Sequence, residues 1–63
     1  MYRQFFLRHD DARLTCWLPD DSRLRPGALV SLKGDDRHWE VVEASSVRLE
    51  SPPDRRWHVG GLL

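Results

Sequence analysis

The amino-acid sequence predicts an all-β fold, a small barrel of about five or six short antiparallel strands. Short segments of β-branched, aromatic and aliphatic residues alternate with polar residues at a period of two. Clusters of Asp, Gly and Pro separate these segments, and none shows the 3.6-residue period of an amphipathic helix. The chain has 63 residues and no linker long enough to divide it, so we expect one domain over residues 1–63.

The first predicted element is a hairpin of two segments, Tyr2–Arg8 and Arg13–Leu18, joined at Asp10 and Asp11. A loop with an even number of residues gives both segments one shared apolar face. That face is predicted to contain Phe5, Leu7, Leu14, Cys16 and Leu18. The same register sends four residues to the opposite face: Tyr2, Phe6, Thr15 and Trp17.

The middle of the chain predicts a loop followed by a second hairpin. The loop is Pro19–Gly27, in which Pro26–Gly27 suits positions two and three of a type II turn. The segments Leu29–Lys33 and His38–Ala44 then alternate as two strands around a Gly-Asp-Asp turn.

Two further strands complete the prediction. They are Ser46–Glu50, which ends before Pro52–Pro53, and Arg55–Val59, which closes the barrel before Gly60 and Gly61. The predicted core consists of Phe5, Leu7, Leu14, Val30, Leu32, Trp39, Val41, Val47 and Leu49.

Charge and cysteine content limit the classes of partner. Ten basic side chains balance ten acidic ones, so no net charge steers the chain toward nucleic acid or anionic lipid. A single cysteine allows no internal disulfide, which favours a reducing compartment, and we expect the cytoplasm. No apolar run approaches the roughly 20 residues that span a bilayer, so we expect no membrane association.

Few side chains are placed in a pattern typical of catalysis or metal binding. We therefore expect no catalytic activity, no bound metal and no cofactor. Cys16 lies in a predicted strand on the core face, as is typical of a packed thiol. His9, His38 and His58 lack the close spacing of zinc ligands. Most acidic turns place an arginine within two residues, which indicates local ion pairs rather than a calcium loop. The predicted pairs are Asp11–Arg13, Asp21–Arg23, Asp36–Arg37 and Asp54–Arg55.

The outer side of the first hairpin is the predicted partner-binding site. With Tyr2, Phe6 and Trp17, the hairpin has more large aromatic side chains than one core face requires. Aromatic side chains are enriched in interface hot spots. Charged residues are predicted to rim these aromatics and to set partner choice. The predicted rim consists of Arg3, Arg8 and Arg13. We therefore expect a protein partner or a second copy of the chain.

Nucleic-acid binding is the alternative. Arg55, Arg56 and Trp57 combine guanidinium groups, which neutralise phosphates, with an indole that stacks on an unpaired base. The segment Arg37–Trp39 repeats this mixture. The competing interpretation is that the tryptophans supply core area and the arginines are solvated edge charges.

One stretch of the chain carries a resemblance to known proteins. Leu24–Lys33 followed by Arg37–Val42 resembles the proline-glycine turn and strand pair of SH3-like barrels. With Thr15–Pro19 and Trp57–Gly61 included, the chain is similar to short uncharacterised proteins of actinobacterial phages and prophages. The resemblance implies an SH3-like fold and a phage-encoded accessory protein in the host cytoplasm, or else a structural subunit of a phage particle. It assigns no functional residue.

Overall fold

The computed structural model describes residues 1–51 and the backbone of residues 59–62. Its strands are β1 (Tyr2–His9), β2 (Ala12–Pro19), β3 (Leu29–Leu32), β4 (His38–Leu49) and β5 (Val59–Leu62). They pair antiparallel in one curled sheet in the order β2-β1-β4-β3-β5, and none of the described residues is helical. The all-β, antiparallel class is therefore confirmed, and the curled sheet is consistent with a small barrel.

The first hairpin has the predicted even register. His9 lies opposite Ala12, so Asp10 and Asp11 form a two-residue loop. Phe5 then lies opposite Cys16 and Leu7 opposite Leu14, which unites the apolar residues of β1 and β2 on the core side. Asp10 reverses the chain with a φ of 51°, in the left-handed region that Asp tolerates better than most residues.

The predicted type II turn precedes β3. The Ala28 N–H donates to the Arg25 carbonyl at 2.9 Å, which places Pro26 and Gly27 at the two central positions. Gly27 has a φ of 92°, as position three of this turn requires. The chain then enters the second hairpin, in which Val30 lies opposite Trp39.

Strand β4 continues where two strands were predicted. It runs without interruption through Ser45 and Ser46, and it meets β1 along most of its length. Its register against β1 shifts twice, so β4 accommodates extra residues as bulges instead of ending. One bulge lies between Ala44, which is opposite Phe5, and Arg48, which is opposite Arg3. The Arg3 Nε donates to the Ser45 carbonyl in this bulge at 2.6 Å.

Strand β5 differs from the predicted closing strand. It includes Gly60 and Gly61, which were expected to follow the strand, whereas residues 55–58 lie outside the described part of the chain. Ser31 lies opposite Gly61 and Leu32 opposite Val59, so Gly60 is the extra residue of a bulge. Glycine suits that position because a bulge distorts the backbone.

The core lies on the concave side of the sheet. Its buried residues are Phe5, Leu7, Cys16, Leu18, Leu24, Val30, Leu32, Trp39 and Val41. Leu14 is only partly buried against this cluster. The prediction was wrong for Val47 and Leu49, which are exposed, and it missed Leu24, which reaches the core from the loop between β2 and β3.

Candidate protein-binding face

The convex side of the sheet carries a second group of apolar side chains. Along β1, Tyr2 and Phe6 alternate with the buried residues and therefore point away from the core. On β2, Trp17 alternates with the buried residues in the same way. On β4, Leu49 lies opposite Tyr2, and Val47 two positions earlier shares its side. We call these five residues the outer patch: Tyr2, Phe6, Trp17, Val47 and Leu49.

Three members of the outer patch are well exposed to solvent. Phe6 is 36% exposed, Val47 46% and Leu49 39%, whereas the core residue Trp39 is 2% exposed. Tyr2 and Trp17 are half-buried. Large apolar side chains that cluster on one exposed face mark contact surfaces more often than isolated ones do.

Two of the predicted rim arginines lie at one end of the outer patch. The Arg8 Nε donates to the Glu40 Oε1 at 2.8 Å. Arg13 lies opposite Arg8 in the hairpin, and one of its terminal nitrogens donates to the carbonyl oxygens of Asp10 and Ala12. This end of the face therefore presents both signs of charge, as the polar rim of an interface commonly does.

Arg3, the third predicted rim residue, does not flank the outer patch. Because Arg3 alternates with Tyr2, it lies on the core side of β1, opposite Leu18. Its guanidinium is 3.8 Å from Asp20, which also accepts a hydrogen bond from Arg48 at 2.7 Å. Arg3 and Arg48 therefore share the Asp20 carboxylate.

The structure describes only the second of the two segments that were considered for nucleic-acid binding. The segment Arg55–Trp57 lies outside the described residues. In the second candidate, Trp39 is buried, so its indole cannot serve as a stacking platform for a base. The Arg37 guanidinium lies 4.6 Å from the centre of that indole ring and binds Asp35 at 2.8 Å. Trp39 is therefore a core residue that Arg37 covers.

Two turns share an Asp-x-Arg arrangement, Asp21 with Arg23 and Asp35 with Arg37. In each, the carboxylate accepts hydrogen bonds from the backbone N–H of the arginine at 2.9 Å and from its guanidinium. The side-chain hydrogen bond from Arg23 lowers the pKa of Asp21 to about 2, and that from Arg37 holds the pKa of Asp35 well below its usual range. The predicted Asp21 pair is confirmed, whereas the pair predicted for Asp36 forms at Asp35 because a spacing of two reaches both groups.

Among the described residues outside the outer patch, we searched for side chains that could form a reactive or metal-binding site. Cys16 is 2% exposed, so its thiol is buried within the core. In residues 1–51 and 59–62, no group of three or more His, Cys, Asp or Glu side chains is placed to hold a metal ion. The same part of the chain has no helix that is long and apolar enough to cross a membrane.

Val47 and Leu49 are the members of the outer patch that the sequence pattern assigned to the core. Both are separated from the buried residues Trp39 and Val41 by an even number of positions. Strict alternation along one strand therefore places them on the core side. Their neighbours are polar, since Ser46, Arg48 and Glu50 surround them, and this was the only sequence signal for an exposed segment.

Comparison of the chain with protein-family models, with curated proteins and with solved structures finds no match.

Proposed function

We propose that the chain is a small SH3-like barrel that acts as a non-enzymatic protein-interaction module, with the outer patch as its contact surface. The observation that carries this proposal is the exposure of Phe6, Val47 and Leu49 on adjacent strands. A partner that covers such side chains gains about 25 cal/mol for each Å² of apolar surface removed from water. The Arg8–Glu40 pair at one end supplies a polar rim that fixes orientation.

The SH3-like class is supported by the turn at Pro26–Gly27 that leads directly into the β3–β4 hairpin. The resemblance to phage and prophage proteins supports an accessory role, in which the chain binds a host or viral protein in the host cytoplasm. A structural subunit of a phage particle would use the same outer patch against other particle proteins.

Nucleic-acid binding has less support from the described residues. Each of five arginines lies within ion-pair distance of a carboxylate, which offsets the charge that would attract phosphates. These arginines are Arg3, Arg8, Arg23, Arg37 and Arg48. The zero net charge of the chain points the same way.

The proposal is tested by affinity capture from native host lysate with matched baits. Phe6→Ser removes an apolar side chain from the outer patch, and Leu29→Ser removes one of similar exposure, 43%, from β3 beyond β4. We expect the wild type and Leu29→Ser to retain one specific protein after nuclease treatment and Phe6→Ser to lose it. Calorimetry with the purified partner then measures the affinity of each variant.

Two results would contradict the proposal. Loss of every captured protein on nuclease treatment would favour the nucleic-acid alternative. Equal capture by Phe6→Ser and the wild type would show that the outer patch is not the contact surface. The comparison of Phe6→Ser with the wild type requires that the variant is folded, which its backbone NMR spectrum checks.

A further inference from the structure

The outer edge of β2 is an edge of the described sheet. Strand β2 is eight residues long and stands at the end of the sheet. It pairs with β1 on one side, and no described strand lies along its other side. An edge strand of this length presents a row of backbone N–H and C=O groups that another strand can pair with.

The hairpin register identifies the backbone groups at this edge. With a two-residue loop, His9 and Ala12 exchange the first hydrogen bonds, and every second pair along the hairpin does the same. The intervening residues of β2 direct their N–H and C=O groups outward, and they are Arg13, Thr15 and Trp17. Pro19 falls in the same set, where its missing N–H costs no bond to β1.

We propose that this edge pairs with the same edge of a second copy of the chain, as an antiparallel β2–β2 contact about a two-fold axis at Thr15. The contact uses the backbone edge of β2 and, of the outer patch, the Trp17 side chain alone. It leaves Phe6, Val47 and Leu49 uncovered, so the Phe6→Ser capture experiment and the β2 experiments can fail separately. In this register, Thr15 lies opposite Thr15 of the other copy, and each Arg13 lies opposite a Trp17.

Hydrogen-bond donors and charges favour this register over the registers centred on Arg13 and on Trp17. It pairs all three outward-facing residues of each copy, and each such pair exchanges two hydrogen bonds. A register centred on Arg13 would set two guanidinium groups against each other, which is destabilising. A register centred on Trp17 would bring Pro19 into the ladder, where it has no N–H to donate. The axis at Thr15 avoids both costs.

Side-chain chemistry favours the same register. Each Arg13 guanidinium meets an indole of the other copy, a favourable cation–π pair. Only one nitrogen of that guanidinium binds the local carbonyls, and arginine has further N–H groups. Thr15 is exposed, and a Thr–Thr pair directly across two strands is stabilising. The two outer patches then lie on one continuous sheet face.

Disulfide trapping tests the register. Directly opposed residues of a hydrogen-bonded antiparallel pair have Cα atoms about 5.5 Å apart, within the range that a disulfide spans. We expect Thr15→Cys to form covalent dimers under mild oxidation. The matched control is Arg13→Cys, because the two copies of this residue would be offset by about 13 Å along the strands. The wild type, oxidised in parallel, controls for Cys16.

Sedimentation velocity tests the association without oxidation. We expect the wild type to shift from its 7.4 kDa monomer toward a dimer as concentration rises. Thr15→Lys should abolish the dimer because two ammonium groups would meet at the axis. Val42→Lys, which places the same charge at an exposed position on β4, should retain it.

Three results would overturn the proposal. Cross-linking of Arg13→Cys but not of Thr15→Cys would show a different register. A wild type that stays monomeric at millimolar concentration and traps no Thr15→Cys dimer would exclude self-pairing, whether or not the edge accepts a foreign strand. Equal dimerisation of Thr15→Lys and the wild type would place the contact elsewhere.

Discussion

Asp10 controls the reversal between β1 and β2 because its φ of 51° lies in the left-handed region. That region costs most L residues roughly 1–2 kcal/mol, costs Asp and Asn less, and costs Gly almost nothing. We predict that Asp10→Val lowers the free energy of unfolding by about 1–2 kcal/mol, while Asp10→Gly changes it by less than about 0.5 kcal/mol. Urea unfolding measures both.

Asp11→Val is the matched control for this prediction. Among the described residues other than glycine, positive φ is confined to Asp10, so valine at Asp11 meets no left-handed strain. Equal losses of stability at the two positions would show that loop polarity, rather than backbone conformation, determines the effect.

The Asp35–Arg37 pair predicts a pH dependence with a definite sign. The hydrogen bond from Arg37 lowers the pKa of Asp35 in the folded state below its ordinary value of 3.8. A carboxyl with a lowered pKa contributes stability above the ordinary value, and this contribution is lost as the pH falls through the lowered pKa. We therefore predict that the free energy of unfolding declines as the pH is lowered below about 4.

The variant Arg37→Leu tests the cause of this decline. The pKa of Asp35, followed through its carboxyl carbon by NMR, should rise toward 3.8 in the variant. The dependence of unfolding on pH should become shallower in the same range. An unchanged Asp35 titration would mean that the hydrogen bonds from the backbone N–H of residue 37 and from the Trp39 indole are sufficient to hold the carboxylate.

In β4, the alternation of apolar and polar residues does not predict which side chains are buried. Leu7 lies opposite Val41 and Phe6 opposite Glu43, so Val42 is one extra residue in β4. A single extra residue reverses the sides of the residues that follow it. The second register shift, between Phe5 and Arg3, adds two residues of β4 and so leaves the sides unchanged. Val47 and Leu49 therefore turn outward. The sequence holds no sign of this bulge, because Val42 itself is a good strand residue.

The first hairpin was predictable for the opposite reason. Its loop of Asp10 and Asp11 leaves no extra residue between β1 and β2, so parity holds over all eight pairs. That parity also placed Tyr2, Phe6 and Trp17 on the outer side. The sequence therefore predicted the side on which these three aromatic residues lie, but it misplaced Arg3 on β1 and Val47 and Leu49 on β4.

Leu24 illustrates a second limit of pattern analysis, because one apolar residue in a polar loop has no period. It is 4% exposed, and its N–H donates to the Asp21 carbonyl at 2.9 Å in a turn that directs it to the core. We predict that Leu24→Ala lowers the free energy of unfolding by about 2–4 kcal/mol. Leu49→Ala should change it by less than about 0.5 kcal/mol, as exposed positions usually do.

Chemical denaturation of the two leucine variants distinguishes the assignments directly. Equal costs for Leu24→Ala and Leu49→Ala would contradict the placement of Leu49 outside the core. A negligible cost for Leu24→Ala would mean that the loop between β2 and β3 does not anchor on the core in solution.

The small size of the whole molecule makes its stability sensitive to every contact. Chains of this length bury only about 60% of the surface that their unfolded form exposes. At about 0.05–0.15 kcal/mol per residue, 63 residues give a free energy of unfolding of only a few kcal/mol. A buried truncation such as Leu32→Ala, expected to cost about 2–5 kcal/mol, would remove much of that.

Because the free energy of unfolding is small, self-association should change the measured stability of the molecule. A contact that forms only between folded chains raises the population of the folded state by mass action, so its effect grows with protein concentration. If β2 pairs across the two-fold axis at Thr15, the thermal midpoint of the wild type should rise between micromolar and millimolar concentration. The midpoint of Thr15→Lys should stay constant, because that variant retains the monomer fold and lacks the contact. A constant midpoint for the wild type would mean that pairing adds nothing to the folded state at these concentrations, and a rising midpoint for both chains would locate the stabilising contact away from the β2 edge.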